Sequence, residues 1–211
     1  MAKKEKQEAV LTEAEKKRLA QFEAMSEELV GKGYRRKDLT IGMGKANLFS
    51  ILLFIPLFVI GYGAYYLVHG ELGFSKFNFF GILIAFLVLI VVHELIHGIS
   101  WSFFTPHHFK DVEFGVMRSS LTPYCTCKVP LKKGQYAFGS VMPLVLLGIL
   151  PMIVGVAIGN PTVLFIGILM ADTAGGDLMI LHQLLSYKSD AREVIYADHP
   201  TEAGLVVFER D

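Results

Sequence analysis

Four long apolar blocks joined by short polar links dominate the chain after residue 46. They cover residues 47–68, 79–104, 138–159 and 161–186, and each is long enough to cross a bilayer as a helix, which takes about 20 residues. Ahead of them the pattern changes. Leu19, Phe22, Met25, Leu29 and Val30 recur at helical spacing among charged residues, Thr12 and Glu15 match a capping box, and Gly31 and Gly33 punctuate the end. This predicts an amphipathic cytosolic helix, docked on the protein's own cytosolic face or, alternatively, anchored at a membrane surface. Residues 1–10 read as disordered and 34–42 as a short extended segment. Within the loop 105–135, residues 111–117 and 121–129 alternate, which predicts a hairpin around Arg118, Ser119 and Ser120. The tail, 188–211, mixes charge with Val194, Ile195 and the run from Leu205 to Phe208, and predicts a strand or two.

The expected fold is therefore an all-α polytopic membrane protein with small cytosolic β segments. A cytosolic region (1–46) precedes a four-helix transmembrane domain (47–187) and a cytosolic tail (188–211). Pro56, Pro143 and Pro151 are expected to kink or locally unwind their helices. The links at 69–78 and 159–161 are short, so the spans they join are expected to be antiparallel neighbours. Basic residues set the orientation. Lys32, Arg35, Arg36, Lys37 and Lys45 precede the first span, Arg118, Lys128, Lys132 and Lys133 lie between the second and third, and Lys188 and Arg192 follow the fourth. Both termini and the middle loop are thereby assigned to the cytosol, in a multi-pass protein of the cell membrane.

Composition agrees with this pattern. Of 211 residues, 53% are hydrophobic and only 19% charged, where soluble domains carry about a quarter. The 20 basic and 20 acidic residues cancel, so nothing draws the chain toward nucleic acid. No apolar core follows Lys3 and Lys4 closely enough to form a cleavable signal peptide. Cys125 and Cys127 are too close to staple a fold and are expected to be reduced, packing as small hydrophobes. His107 and His108 suit a solvated loop, and Tyr62, Tyr65 and Tyr66 an interfacial belt.

The chemistry lies in the second block, where His93-Glu94-Leu95-Ile96-His97-Gly98 interrupts an apolar run. Residues four apart share a helix face, so both imidazoles can reach one metal ion, with Glu94 beside them as a candidate base for a metal-activated water. Ionisable groups inside a membrane helix are functional candidates by default. The plainer alternative is a pair of buried histidines bonded to backbone or Ser100. A catalytic zinc usually takes three protein ligands. At 1.5 Å per residue, His93 and His97 lie about 16 and 10 Å from the cytosolic end of their span, against about 13 Å for Asp177, 21 Å for Asp172 and 6 Å for His182. Depth favours Asp177, flanked by small residues that allow close packing. Asp172 remains the alternative ligand, or a carboxylate that orients an imidazole. His182 is the best available guess for an oxyanion donor.

With Gly175-Gly176-Asp177 and the Cys125-x-Cys127 loop, the pattern resembles the site-2-type intramembrane metalloproteases, and more fully the zincin membrane peptidases related to them. The resemblance implies zinc held by His93, His97 and Asp177, with Glu94 as catalytic acid/base, in a core made of the second to fourth spans. Site-2 proteases often carry an Asn-Pro-x-Asp-Gly-like segment at the third ligand. Here Ala174-Gly175-Gly176-Asp177-Leu178 lacks the Asn and the Pro. The expected activity is a zinc metalloendopeptidase acting on a membrane-protein or peptide substrate in or near the bilayer. The hairpin would either offer an edge for strand addition or simply cover the cytosolic mouth. The rival reading is a membrane metal-binding or transport protein. It is weakened by the near absence of ionisable residues from the first and third spans.

Overall fold

A computed structural model describes residues 12–117 and 122–211. The expected disorder of 1–10 and the hairpin turn at 118–120 fall outside the described residues. Helix α1 (Glu13–Gly31) begins with the expected box: the Thr12 hydroxyl accepts from the Glu15 amide at 3.2 Å, and the Thr12 amide donates to the Glu15 carboxylate at 2.7 Å. Strand β1 (Arg35–Thr40) leads into α2 (Met43–His69), which runs unbroken through Pro56. Helix α3 is Phe79–Ser102, and the hairpin is β2 (Val112–Met117) with β3 (Thr122–Cys127).

The third apolar block starts earlier than the pattern predicts. It comprises α4 (Lys133–Pro143), a π-helical segment (Leu144–Ile149) and α5 (Leu150–Ala157). Pro151 lacks an amide donor and its ring crowds the carbonyl four residues back, so the wider turn ahead of it relieves that conflict. The fourth block is two helices, α6 (Pro161–Thr173) and α7 (Gly175–Ser186), bent by 47° at Ala174. The tail forms β4 (Glu193–Asp198) and β5 (Gly204–Arg210). The chain is thus mostly helical with two small sheets. Among the described residues, three helical stretches are long and apolar enough to cross a membrane, or four if the bent pair counts as one span.

Short links do not dictate helix neighbours throughout. Helices α5 and α6 pack together as expected across the 159–161 turn, but α2 packs on α6 and α7, and α3 on α4 and α6. Helix α6 therefore separates α2 from α3 despite their brief connection. Glycines set these approaches: a Cβ on Gly155 would lie 2.3 Å from the Leu164 nitrogen, and one on Gly167 2.6 Å from that of Met152. Tyr62 and Tyr65, expected at an interfacial belt, are buried instead. Their hydroxyls donate to the Pro161 and Gly159 carbonyls at 3.0 and 2.9 Å, clasping the turn between α5 and α6.

Both ends of the chain build one antiparallel sheet, ordered β1-β5-β4. The central strand is buried from Gly204 to Phe208 and alternates with period two. Val206 and Phe208 meet Phe22 of α1, while Leu205 and Val207 meet Trp101, Tyr136 and Leu184 at the helix ends. Arg18 pins α1 from within: its Nε donates to the Pro200 carbonyl at 2.7 Å, and its guanidinium lies 4.3 Å from the Tyr124 ring.

Gly155→Ala is expected to destabilise by about 1–3 kcal/mol, because the new methyl meets backbone rather than a movable side chain. Gly63→Ala in α2, with open space around the new methyl, is expected to be neutral or to stabilise by up to about 1 kcal/mol. Thermal unfolding in detergent compares the two. In the β4–β5 turn, His199 Nδ1 accepts from the Thr201 and Glu202 amides at 3.3 and 3.0 Å. Burial, reinforced by Arg36, holds this imidazole below its usual range. The neutral ring's contribution is thus complete above the unfolded value of about 6.5 and is lost as pH falls through the lower folded one. Protection of the Thr201 and Glu202 amides, taken as exchange relative to the intrinsic rate at each pH, should fall on acidification, and unchanged protection between pH 7 and 5 would refute this.

Candidate metal centre

His93 and His97 are buried on the inner face of α3, one turn apart. Asp177 lies in the first turn of α7, just past the bend, and its carboxylate enters between the two rings. His93 Nε2 is 3.1 Å from Asp177 Oδ2, His97 Nε2 is 3.4 Å from Asp177 Oδ1, and the two Nε2 atoms are 3.2 Å apart. A tetrahedral zinc with bonds of about 2.0–2.2 Å holds neighbouring ligand atoms roughly 3.3–3.6 Å apart. The two nitrogens, and each nitrogen with one oxygen of the carboxylate, already stand close to that spacing, with nitrogen and carboxylate oxygen chemistry suited to zinc.

The ring orientation has a cause. His97 Nδ1 donates to the Gly139 carbonyl of α4 at 2.9 Å, so Nε2 presents its lone pair inward. This is the backbone bond that the plainer reading expects, made at the ring atom that leaves the other free to ligate. Trp101, one turn further along α3, stacks on His97 at 5.1 Å with 17° between planes. Its indole N–H donates to the Tyr136 carbonyl at 3.2 Å. Gly139 has no room for a side chain, since a Cβ there would lie 2.0 Å from Trp101 Nε1. Among the described residues, His93 Nδ1 is buried without a hydrogen-bond partner.

Glu94 stands outside the three-donor group and is part-buried beside it, with its carboxylate facing the Cys125 backbone amide of β3. The hairpin reaches this position because Gly98 follows the motif: a Cβ there would lie 2.3 Å from the Phe114 ring. Further along β3, the Cys127 amide and Thr126 hydroxyl donate to Asp198 Oδ2 at 2.8 and 2.9 Å. Pro123 has no amide to offer, so the donors on this edge are taken by two carboxylates. Cys127 is buried, with its thiol donating to the Val129 carbonyl at 3.2 Å, and Cys125 packs against the same apolar cluster. Burial pushes the Cys127 thiol up to about 12 and the Cys125 thiol higher still. Both cysteines are therefore protonated packing residues at neutral pH.

The other candidates lie elsewhere. Asp172, on α6, has one buried oxygen without a hydrogen bond among the described residues and does not join the donor group. His182 is exposed on α7 and likewise remains outside the group. His107 is exposed, as expected of a loop, though its amide and ring both engage Asp111. Sequence reasoning missed Gly139, Tyr136, Trp101 and Asp198. Only Trp101 had a signal, being four residues beyond His97 and hence on the ligand face of the helix.

A family model described as "Putative zincin peptidase" matches residues 86–192, just over half of the chain, and the chain belongs to that family of zinc metallopeptidases. No curated protein and no solved structure matches it. The matched segment contains His93, Glu94, His97 and Asp177 but ends before β4 and Asp198.

Purified protein is expected to carry about one zinc per chain. His93→Ala, His97→Ala and Asp177→Asn should each abolish it, whereas Asp172→Asn should not. Elemental analysis after gel filtration decides, and zinc retained by Asp177→Asn would remove that residue from the ligand set.

Proposed function

We propose that this chain is a membrane-embedded zinc endopeptidase related to the site-2 type, with His93, His97 and Asp177 as metal ligands and Glu94 as catalytic acid/base. The supporting observation is the convergence of two imidazole nitrogens and one carboxylate from two separate helices, each ring 3.1 or 3.4 Å from a carboxylate oxygen and the nitrogens 3.2 Å apart, inside a segment matched by a zincin family. When bound, zinc supplies Lewis acidity to the attacking water and the scissile carbonyl. Glu94, the motif residue outside the donor set, takes the water's proton on its carboxylate and returns it to the leaving amine.

In this reading the apolar stretches cross the bilayer, with both termini and the β2–β3 hairpin on the cytosolic side. Exposed Ile51, Ile55 and Val59 on α2, and Leu87, Val88 and Val91 on α3, are the lipid-facing surface. The site then lies below the lipid surface, within reach of cytosolic water. The substrate is a peptide bond of a membrane protein or membrane-bound peptide, unwound before hydrolysis. The hairpin covers the mouth of the site: a substrate strand added along the outer edge of β3 must displace Glu94 from the Cys125 amide or Asp198 from that of Cys127.

Glu94→Gln separates hydrolysis from metal transit. It should retain about one zinc per chain while cleavage of a quenched single-span peptide in proteoliposomes falls by about 10²–10⁴-fold. Zinc uptake into vesicles that survives this substitution, with no cleavage by the wild type, would instead establish the transport reading.

A further inference from the structure

Beyond the matched segment, strand β4 places one acidic residue in contact with the parts that orient both His97 and Glu94. Asp198 is part-buried between the sheet, β3 and the start of α4, with desolvation raising its carboxyl against three hydrogen bonds that favour the anion. Oδ1 accepts from the Tyr136 hydroxyl, and Oδ2 from the Cys127 amide and the Thr126 hydroxyl. The Cys127 amide can only donate, and the two hydroxyls donate to the charged acid; an Asn here would keep the Cys127 bond only by offering a hydroxyl an N–H in place of a charged acceptor.

Two routes lead from this carboxylate to the metal centre. In the first, Tyr136 packs on Trp101 at 5.6 Å between ring centroids and takes the indole N–H on its carbonyl; Trp101 in turn stacks on His97. In the second, Asp198 holds β3 by its edge two residues from Cys125, whose amide meets Glu94. We propose that Asp198 is a positioning residue of the metal centre: through Tyr136 and Trp101 it fixes the imidazole of His97, and through β3 it fixes the carboxylate of Glu94. The C-terminal strand pair is thereby part of the machinery, not an appendage to it. The inference rests on the metallopeptidase reading above.

Trp101 is the sole tryptophan, so its emission reports on His97 directly. Wild-type protein in detergent, stripped with chelator and titrated with buffered zinc, should change its emission with saturable binding. Asp198→Asn and Tyr136→Phe are expected to shift the emission of the metal-free protein and to weaken zinc binding about 10–100-fold, the usual cost of losing a partner behind a ligand. Tyr187→Phe is the control. It removes a comparable bond, from the Tyr187 hydroxyl to Glu209 at 2.7 Å, elsewhere on the same sheet, and should leave both readouts unchanged. Wild-type zinc affinity and emission in Tyr136→Phe or in folded Asp198→Asn overturns the proposal, as does an equal loss in Tyr187→Phe. Should Asp198→Asn not fold, Tyr136→Phe carries the decision. A wild type that binds no zinc overturns the metallopeptidase reading and this inference with it.

Discussion

Two imidazoles and a carboxylate can occupy an apolar helical interior only if they satisfy one another or share a cation, and the architecture follows from that constraint. An isolated ionised group in such surroundings costs several kcal/mol. Here the three groups face a common point, with the Asp177 carboxylate 3.1 and 3.4 Å from the two Nε2 atoms. The arrangement requires that each ring turn the same nitrogen inward. For His97 the Gly139 carbonyl enforces it, at the expense of any side chain on residue 139. One glycine therefore does two jobs, supplying an acceptor to the ligand and a gap for the indole that braces it.

Asp177 reaches the rings because the fourth apolar block is not a continuous rod. The break at Ala174 starts a new helix at Gly175, whose missing side chain lets α7 pass Ser50 of α2, where a Cβ would lie 2.4 Å from the serine Oγ. A helix broken beside its functional carboxylate needs to be held at both ends. At one end Tyr62 and Tyr65 grip the turn before α6, and the His69 ring donates to Val156 at 2.7 Å. At the other, Leu184 of α7 is sealed beneath Leu205 and Val207 of the sheet. The two clamps add to the contacts at the bend itself, where Ala174 is fully buried and accepts from the Leu178 amide at 2.9 Å.

Much of the donor set was legible in the sequence, because the features that carry it are local. The i, i+4 spacing puts His93 and His97 on one face whatever surrounds them. The regular rise of a helix then selects Asp177 over Asp172 and His182 by depth alone. The capping box at Thr12 and the two hairpin strands were legible for the same reason. What escaped was long-range. Nothing in residues 35–40 announces that they pair with 204–209, a contact set by the fold as a whole. Link length implied that α2 and α3 are neighbours, but helix contacts are chosen by which faces can approach closely. The glycines of α5, the π-helical segment and α6 bring those elements together, and Gly61 of α2 lets Leu164 and Ile168 of α6 approach on the other side. Tyr62 and Tyr65 were misplaced for a related reason: an amphipathic ring suits an interface equally well when the polar atom it meets belongs to a turn rather than to water.

The least legible residue around the site ties three segments together. Asp198 sits in a strand whose neighbours, Tyr196 and Ala197, read as ordinary sheet core, and no motif surrounds it. Its role appears only once three segments distant in sequence converge: the hairpin, the start of α4 and the tail. A part-buried acid that receives three donors is held by all of them and in turn holds each, so displacement of any one segment is felt by the other two. Arg18 extends the same linkage to the N-terminal helix, since its guanidinium spans Pro200, two residues past Asp198, and Tyr124, the residue before Cys125. The hairpin over Glu94 is thus secured on one side by the C-terminal strand and on the other by α1. Under the peptidase reading, a substrate that reaches Glu94 past this hairpin meets a segment held by anchors from opposite parts of the chain, Asp198 and Arg18, and not a loop tied only to its own neighbours.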